Sequence, residues 1–243
     1  HGEVIDREKY LVFHTPSNPG HYWGNYLLFP NPPKPPDFDR WRDLFYKEIG
    51  HQPAINHEAY GWDSPSGELG NIEPFQKAGY GISQCSVMTT SKVTMPPNFN
   101  HDIHVREVTT DDEWIQAARC GSSLSETTTI VSKRVEQNMI AWQVLKKKEE
   151  GAWYGAYLKG KFVGGLGVYI TNDTCIIEEV ATYPEFRRQG ICRTLVYHVS
   201  VQALKHFDIK RLSLIADNEG SAKRIYEQIG FETVEQQVGL YKT

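Results

Sequence analysis

The feature that most constrains this chain is one change of hydrophobic period inside the run IIEEVATYPEFRRQGICRTLVYHVSVQAL, from Ile176 to Leu204. Ile176 to Thr182 is rich in apolar and β-branched residues and is bounded by Pro184, which predicts a strand. From Gly190 onward Ile191, Leu195, Val199 and Ala203 recur about once per helical turn, which predicts a helix with one apolar stripe turned to a core. Between the two lies the turn Arg187-Arg188-Gln189-Gly190-Ile191-Cys192. Gly190 permits a close turn, and the first amides of the helix then point outward without intrahelical partners. Such a helix start attracts anions, and Arg187, Arg188 and Arg193 set positive charge beside it. A phosphate-bearing ligand suits it.

Composition narrows the rest by exclusion. The formal net charge is −4, so no general nucleic-acid surface is expected. No apolar run is long enough to span a bilayer and no secretory pattern is visible, so no membrane contact is expected. Cys85, Cys120, Cys175 and Cys192 are scattered, which fits reduced thiols in the cytoplasm better than a disulfide framework or a zinc site. His101-x-x-His104 and the pair His51 and His57 lack further ligands nearby, so no metal is expected.

In chain order, residues 1–95 read as one α/β unit. Tyr10–His14 and Asn25–Phe29 are short strands, and the prolines between Pro30 and Pro36 forbid a helix. A helix over Asp37–Ile49 follows, with Asp37 as its N-cap, then strands at Ala54–Trp62 and Tyr80–Thr90 around a short helix at Asn71–Ala78. Residues 96–103 read as a linker and 104–243 as a second unit. There Val105–Val108 is a strand, Thr110 to Glu113 opens a helix as a capping box, and Thr127–Glu150 is a second helical region. Trp153–Leu158 and Phe162–Ile170 form a hairpin. Gly164, Gly165 and Gly167 fall inside its second strand, where close packing explains them better than a phosphate cradle. Arg211–Ala216 is a strand. Asn218, Ala222 and Tyr226 share one face of the next helix, which Gly230 ends, and Val238–Lys242 finishes the sheet.

The spacing Arg187-x-x-Gly190-x-Cys192 resembles the acyl-CoA pyrophosphate loop of the GNAT superfamily of N-acyltransferases, with Cys192 where that family has Gly or Ala. Asn218-x-x-x-Ala222-x-x-x-Tyr226-x-x-x-Gly230-Phe231 resembles its second signature, and the likeness covers about residues 104–243. It implies an α/β (α+β) fold, a mixed central sheet flanked by helices. Phe75-Gln-Lys-Ala-Gly79-Tyr80 also lines up with Tyr226-Glu-Gln-Ile-Gly230-Phe231, which makes residues 1–95 a shortened GNAT-like domain and the chain a tandem form. Its prolines stand where the second copy has its basic turn and offer no amide to a phosphate.

The resemblance implies transfer of an acetyl group from acetyl-CoA to a primary amine by direct attack. The amine must lose a proton, the developing oxyanion needs a donor, and the departing thiolate needs a proton. Tyr226 takes the last role. Glu178 and Glu179 are the candidate bases. Strict alternation sends them to opposite faces of the strand, and Glu178 is favoured. Val180, Ala181 and Thr182 would hold the pantetheine arm with Asn218. Arg187, Arg188, Gln189, Gly190, Ile191, Cys192 and Arg193 would hold the pyrophosphate. Cys192 is not read as a nucleophile, since it lies in the phosphate loop. The expected partners are acetyl-CoA and an amine, for a monomer or homodimer. The rival reading is a CoA-binding sensor or scaffold without catalysis, and a weaker third is transfer to oxygen or of a longer acyl chain.

Overall fold

The computed structural model describes residues 2–122 and 130–243. They fall into two units, residues 1–86 with 234–243, and residues 87–233. The first contains β1 (Glu3–Asp6), β2 (Leu11–His14), β3 (Tyr26–Phe29), α1 (Asp37–Phe45), β4 (Glu58–Trp62), α2 (Glu73–Lys77) and the start of β5 (Gly81–Thr90). The second contains the end of β5, then β6 (Ile103–Glu107), α3 (Asp111–Ser122), α4 (Ile130–Lys147), β7 (Gly151–Leu158), β8 (Lys161–Thr171) and β9 (Thr174–Thr182). It continues through α5 (Ile191–His206), β10 (Arg211–Asp217) and α6 (Ala222–Ile229) into β11 (Glu232–Lys242), which ends in the first unit.

In the first unit β1, β2 and β3 are antiparallel, and β3 then pairs parallel with β4 across the α1 crossover, Leu27 facing Tyr60 and Phe29 facing Trp62. The core is aromatic: Trp41 stacks on Phe29 with centroids 3.9 Å apart, and Phe45, Tyr60, Trp62 and Phe75 surround it. The expected helix over 37–49 stays α-helical only to Phe45. Tyr46–Gly50 widens into a π turn, closed by His51 N donating to Tyr46 O at 3.0 Å. Asp37 is the first helical residue rather than the cap; its carboxylate accepts from Lys34 N at 2.8 Å and pairs with Arg40 at 2.6 Å.

The second unit has the strand order β10-β9-β8-β7-β6, with β9 and β10 parallel and the others antiparallel. Alternation along the strands divides two cores. On one face Leu166, Val168, Cys175 and Ile177 pack against Ile191, Leu195 and Val199 of α5 and Tyr226 and Ile229 of α6. On the other, Trp153, Tyr157 and Phe162 pack against Trp114 and Ala117 of α3 and Met139 and Trp142 of α4. The capping box forms as expected, since Glu113 N donates to Thr110 Oγ1 at 3.3 Å and Thr110 N to Glu113 Oε2 at 3.1 Å. Of the helix expected over Thr127–Glu150, residues 127–129 lie outside the described residues.

Two expectations about organisation differ from these units. Residues 96–103, read as a linker, belong to the second unit and pack on it: Asn100 N donates to Thr194 Oγ1 at 2.9 Å, and Arg193 Nη1 to Pro97 O at 2.6 Å. Proline and asparagine prevent regular structure there, but they leave carbonyls and amides free for such bonds. The last strand, expected to finish the second sheet, lies between β4 and β5, with Val238 facing Trp62 and Leu240 facing Tyr60. Val238 and Leu240 are buried in the first core.

Candidate active site

The parallel pairing of β9 with β10 stops at Ile177 and Leu214, although β9 runs on to Thr182 and β10 to Asp217. Beyond that pair β9 keeps its other neighbour, with Ala181 opposite Gly165 and Thr182 opposite Gly164. Tyr183 N donates to Val163 O at 3.1 Å. Alternation therefore turns the backbone groups of Ala181 toward β8 and those of Val180 and Thr182 toward the unpaired edge. A strand edge bare of its ladder is a ready receptor for an amide-bearing chain.

The two glutamates lie at the head of that edge. Across the step from Gly165–Ala181 to Gly167–Glu178, β9 contains one residue more than β8, and Glu179 has φ +52°. This is a β-bulge with a non-glycine residue in the left-handed region. It breaks the alternation, so the expectation of opposite faces fails. Glu179 Oε1 accepts from Trp142 Nε1 at 3.2 Å and Asn138 Nδ2 at 3.3 Å, and Glu178 Oε1 from the Tyr169 hydroxyl at 3.4 Å. Trp142 and Tyr169 belong to the core beneath α3 and α4, so both carboxylates point to that side. Glu178 is exposed at its surface and has protein on its other sides. Desolvation pushes its pKa up, the Glu179 charge adds to the rise, and the Tyr169 hydroxyl opposes it.

The basic turn follows a short 3-10 turn at Pro184–Phe186. Arg188 has φ +62° and Gly190 φ +77°; a Cβ on Gly190 would stand 2.4 Å from Asn98 O, so only glycine fits. The first helical bond runs from Thr194 N to Gly190 O at 3.0 Å, which leaves the amides of Ile191, Cys192 and Arg193 ahead of the ladder. Asn100 Nδ2 donates to Gln189 O at 2.8 Å and braces the turn from outside. The arginines divide their work: Arg187 Nε donates to Thr182 O at 3.3 Å, Arg193 is held by Pro97 O, and Arg188 is exposed. Burial raises the Cys192 thiol to about 11, with Arg193 opposing. The thiol therefore stays protonated at neutral pH, unsuited to nucleophilic attack.

Tyr226 is 4% exposed in the α5-side core. Desolvation raises its pKa strongly and nearby Cys192 adds to the rise, so the phenol holds its proton. Gly230 has φ +111° and ends α6, with Phe231 N donating to Tyr226 O at 3.1 Å. Asn218 does not share the α6 face as expected: the helix begins at Ala222, and Asn218 lies in the preceding turn, where Asp217 Oδ1 accepts from Glu219 N at 2.9 Å. That short acidic turn satisfies itself before the helix starts.

Sequence reasoning missed Trp142, Asn138 and Tyr169 around the glutamates and Asn98 and Asn100 around the turn. Asn138 and Trp142 are one turn apart on α4, a spacing that could have placed them on one face. The glycines of β8 are close-packing sites, as expected: a Cβ on Gly164 would stand 2.7 Å from Ala181 O, and one on Gly165 2.7 Å from Trp153 Nε1.

Residues 118–231 match the acetyltransferase (GNAT) family model. Among solved structures, the fold is similar to a functionally unknown conserved protein from Staphylococcus epidermidis, at TM-score 0.76 and 15% identity over 99% of this chain and 94% of that one. A GCN5-related N-acetyltransferase from Kribbella flavida aligns at TM-score 0.67 and 14% identity over 99% and 89%. A tandem GNAT protein from the clavulanic acid biosynthesis pathway aligns at 0.51 and 13% over 84% and 67%. No curated protein matches by sequence. At such identities the structural likeness speaks for the fold.

Proposed function

Residues 118–231 form a domain of the GNAT acetyltransferase family, a family of acyl transfer, and from that premise we propose that the chain is an acetyl-CoA-dependent N-acetyltransferase acting on a primary amine. The observation that carries this reading is the parting of β9 from β10 beyond Ile177 and Leu214, beside a braced basic turn. The pantetheine arm lies along the open edge and bonds the backbone of Val180 and Thr182 with the help of Asn218, while Ala181, also expected to hold it, turns its backbone groups to β8 instead. The pyrophosphate sits over Arg187 to Arg193, against the free amides of α5. Glu178 takes the proton of the amine, since desolvation makes its carboxylate more basic than usual and Glu179 is already engaged by Trp142 and Asn138. A backbone amide at the β9 bulge stabilises the oxyanion, and Tyr226 protonates the departing thiolate.

The first unit is read as a shortened copy of the same domain without an acyl-CoA site. Its β3–α1–β4 crossover repeats the parallel β9–α5–β10 crossover. Gly79, at φ +87°, ends α2 with Tyr80 N donating to Phe75 O at 3.0 Å, as Gly230 ends α6. Its strands stay paired to the last residue, Phe29 on Trp62, so no edge opens. The cysteines are free, which supports a cytoplasmic location, and among the described residues no helix is long and apolar enough to cross a membrane.

The test is thiol release from acetyl-CoA against polyamines, amino sugars, aminoglycosides, amino acids and peptide N-termini. Turnover with one amine class supports the reading and names the acceptor. Tight acetyl-CoA binding with no turnover favours a CoA-binding sensor.

A further inference from the structure

A pocket of about 450 Å3 lies within the first unit, between α1, the segment leading into β4 and the end of β11. Its size is that of a small-molecule site. Its walls carry charges of both signs, and among the described residues three of them form no ion pair. Asp39 and Asp43 stand one turn apart on α1 and line the pocket, and neither forms an ion pair among the described residues. Lys242, on β11, has no carboxylate partner among the described residues either; its Nζ stands 5.5 Å from the centroid of Tyr80. Glu58 is held differently. It accepts from the Tyr60 hydroxyl at 2.8 Å and from the Tyr80 hydroxyl, and Arg42 Nε stands 3.5 Å from its Oε2.

The wall also contains an unspent acceptor. His57 is 5% exposed, and its Nε2 stands 3.0 Å from Asn25 O. A carbonyl only accepts, so the ring proton is on Nε2 and Nδ1 carries a lone pair. Nδ1 is buried and has no hydrogen-bond partner among the described residues. Burial lowers the pKa of the ring, which agrees with the neutral form. Phe45 and Ile55 supply an apolar wall.

Asp39, Asp43 and Lys242 line one cavity without an ion-pair partner among the described residues, and a ligand carrying both signs can meet both kinds of charge. We propose that this pocket binds a small zwitterion with an apolar side, an apolar α-amino acid. Its ammonium faces Asp39 and Asp43. Its carboxylate faces Lys242 and the remaining guanidinium donors of Arg42, and its side chain lies along Phe45 and Ile55. The site stands independently of acyl transfer in the second unit.

Titration calorimetry on the full chain with L-leucine, L-leucinamide and N-acetyl-L-leucine separates zwitterion, cation and anion. L-leucine binds about tenfold more tightly than either analogue. Asp43→Asn and Lys242→Met each weaken it by about fivefold or more, while Tyr226→Phe, in the other unit, leaves it unchanged. Asp43 and Lys242 lie on the surface outside the core, and an unchanged thermal melt shows that their variants fold. Equal binding of L-leucinamide overturns the zwitterion, and absence of binding by all three overturns the site. Weakening by Tyr226→Phe but not by Asp43→Asn moves the binding to the second unit and equally overturns it.

Discussion

The indole of Trp142 lies against the backbone of Gly167, so close that a Cβ there would stand 2.5 Å from the ring. The same indole donates to Glu179 at 3.2 Å. The ring is 4% exposed and packed between Trp153 and Tyr169, with centroids at 5.4 and 6.1 Å, so it has nowhere to swing. A missing side chain on β8 thus fixes the position of a carboxylate on β9.

Gly167→Ala overpacks that contact. It destabilises the protein by about 1–3 kcal/mol in denaturant unfolding, and it lowers turnover because Glu179 loses its indole donor. Unchanged stability would show that the ring relocates freely.

Glu178 sets a pH limb. Its folded pKa is raised, first by desolvation and then by Glu179, so the carboxylate forms only at a pH above the ordinary value of 4.5. A base is competent when ionised, so kcat/KM rises with pH through the raised pKa and then levels. Glu178→Gln removes the limb and costs about a hundredfold in kcat. Glu179→Gln removes the like charge and moves the limb to lower pH. A pH profile identical in all three proteins assigns proton removal elsewhere.

Tyr226→Phe keeps the buried ring and deletes the hydroxyl. Turnover falls by about tenfold to a hundredfold, while the acetyl-CoA dissociation constant stays the same. Steady-state kinetics and equilibrium binding together check this, and equal turnover would make Tyr226 a core aromatic only.

The strand, basic turn and helix at residues 176–206 were legible because period and punctuation agree there: β-branched residues, then Pro184, then Gly190, then an apolar stripe. The capping box at Thr110–Glu113 and the Gly230 helix end were legible for the same local reason. The bulge at Glu179 was not. Alternation assumes one residue per pairing position, and the extra residue is defined only by the partner strand. The place of β11 was hidden likewise, since its apolar residues fit any sheet edge and only its pairing with β4 and β5 decides it. The bonds of residues 97–100 to the basic turn span the sequence and leave no local trace.

Glu113 makes the second unit acid-sensitive. Its carboxylate takes the Arg106 guanidinium first and then the amides of Thr109 and Thr110, which hold its pKa well below the usual 4.5. The folded pKa is depressed, so this stabilisation is complete above about 4.5 and is lost as pH falls through the depressed value. Thermal melts across that range therefore fall less steeply in Glu113→Gln, which also loses about 1 kcal/mol at neutral pH, as for a lost cap. Parallel curves would remove Glu113 from the acid transition.

The most direct measurement is a titration of acetyl-CoA into the wild-type chain and into Gly190→Ala. Gly190 has φ +77°, and its Cα faces Asn98 O with no room for a methyl, so the substitution reshapes the turn that presents the amides of Ile191 to Arg193. The account predicts saturable binding in the range of about 1 μM to 1 mM, weakened at least tenfold in a Gly190→Ala protein that still melts cooperatively. No binding by the wild type, or equal affinity in the two proteins, would contradict the assignment of residues 187–193 as the pyrophosphate turn and with it the proposed reaction.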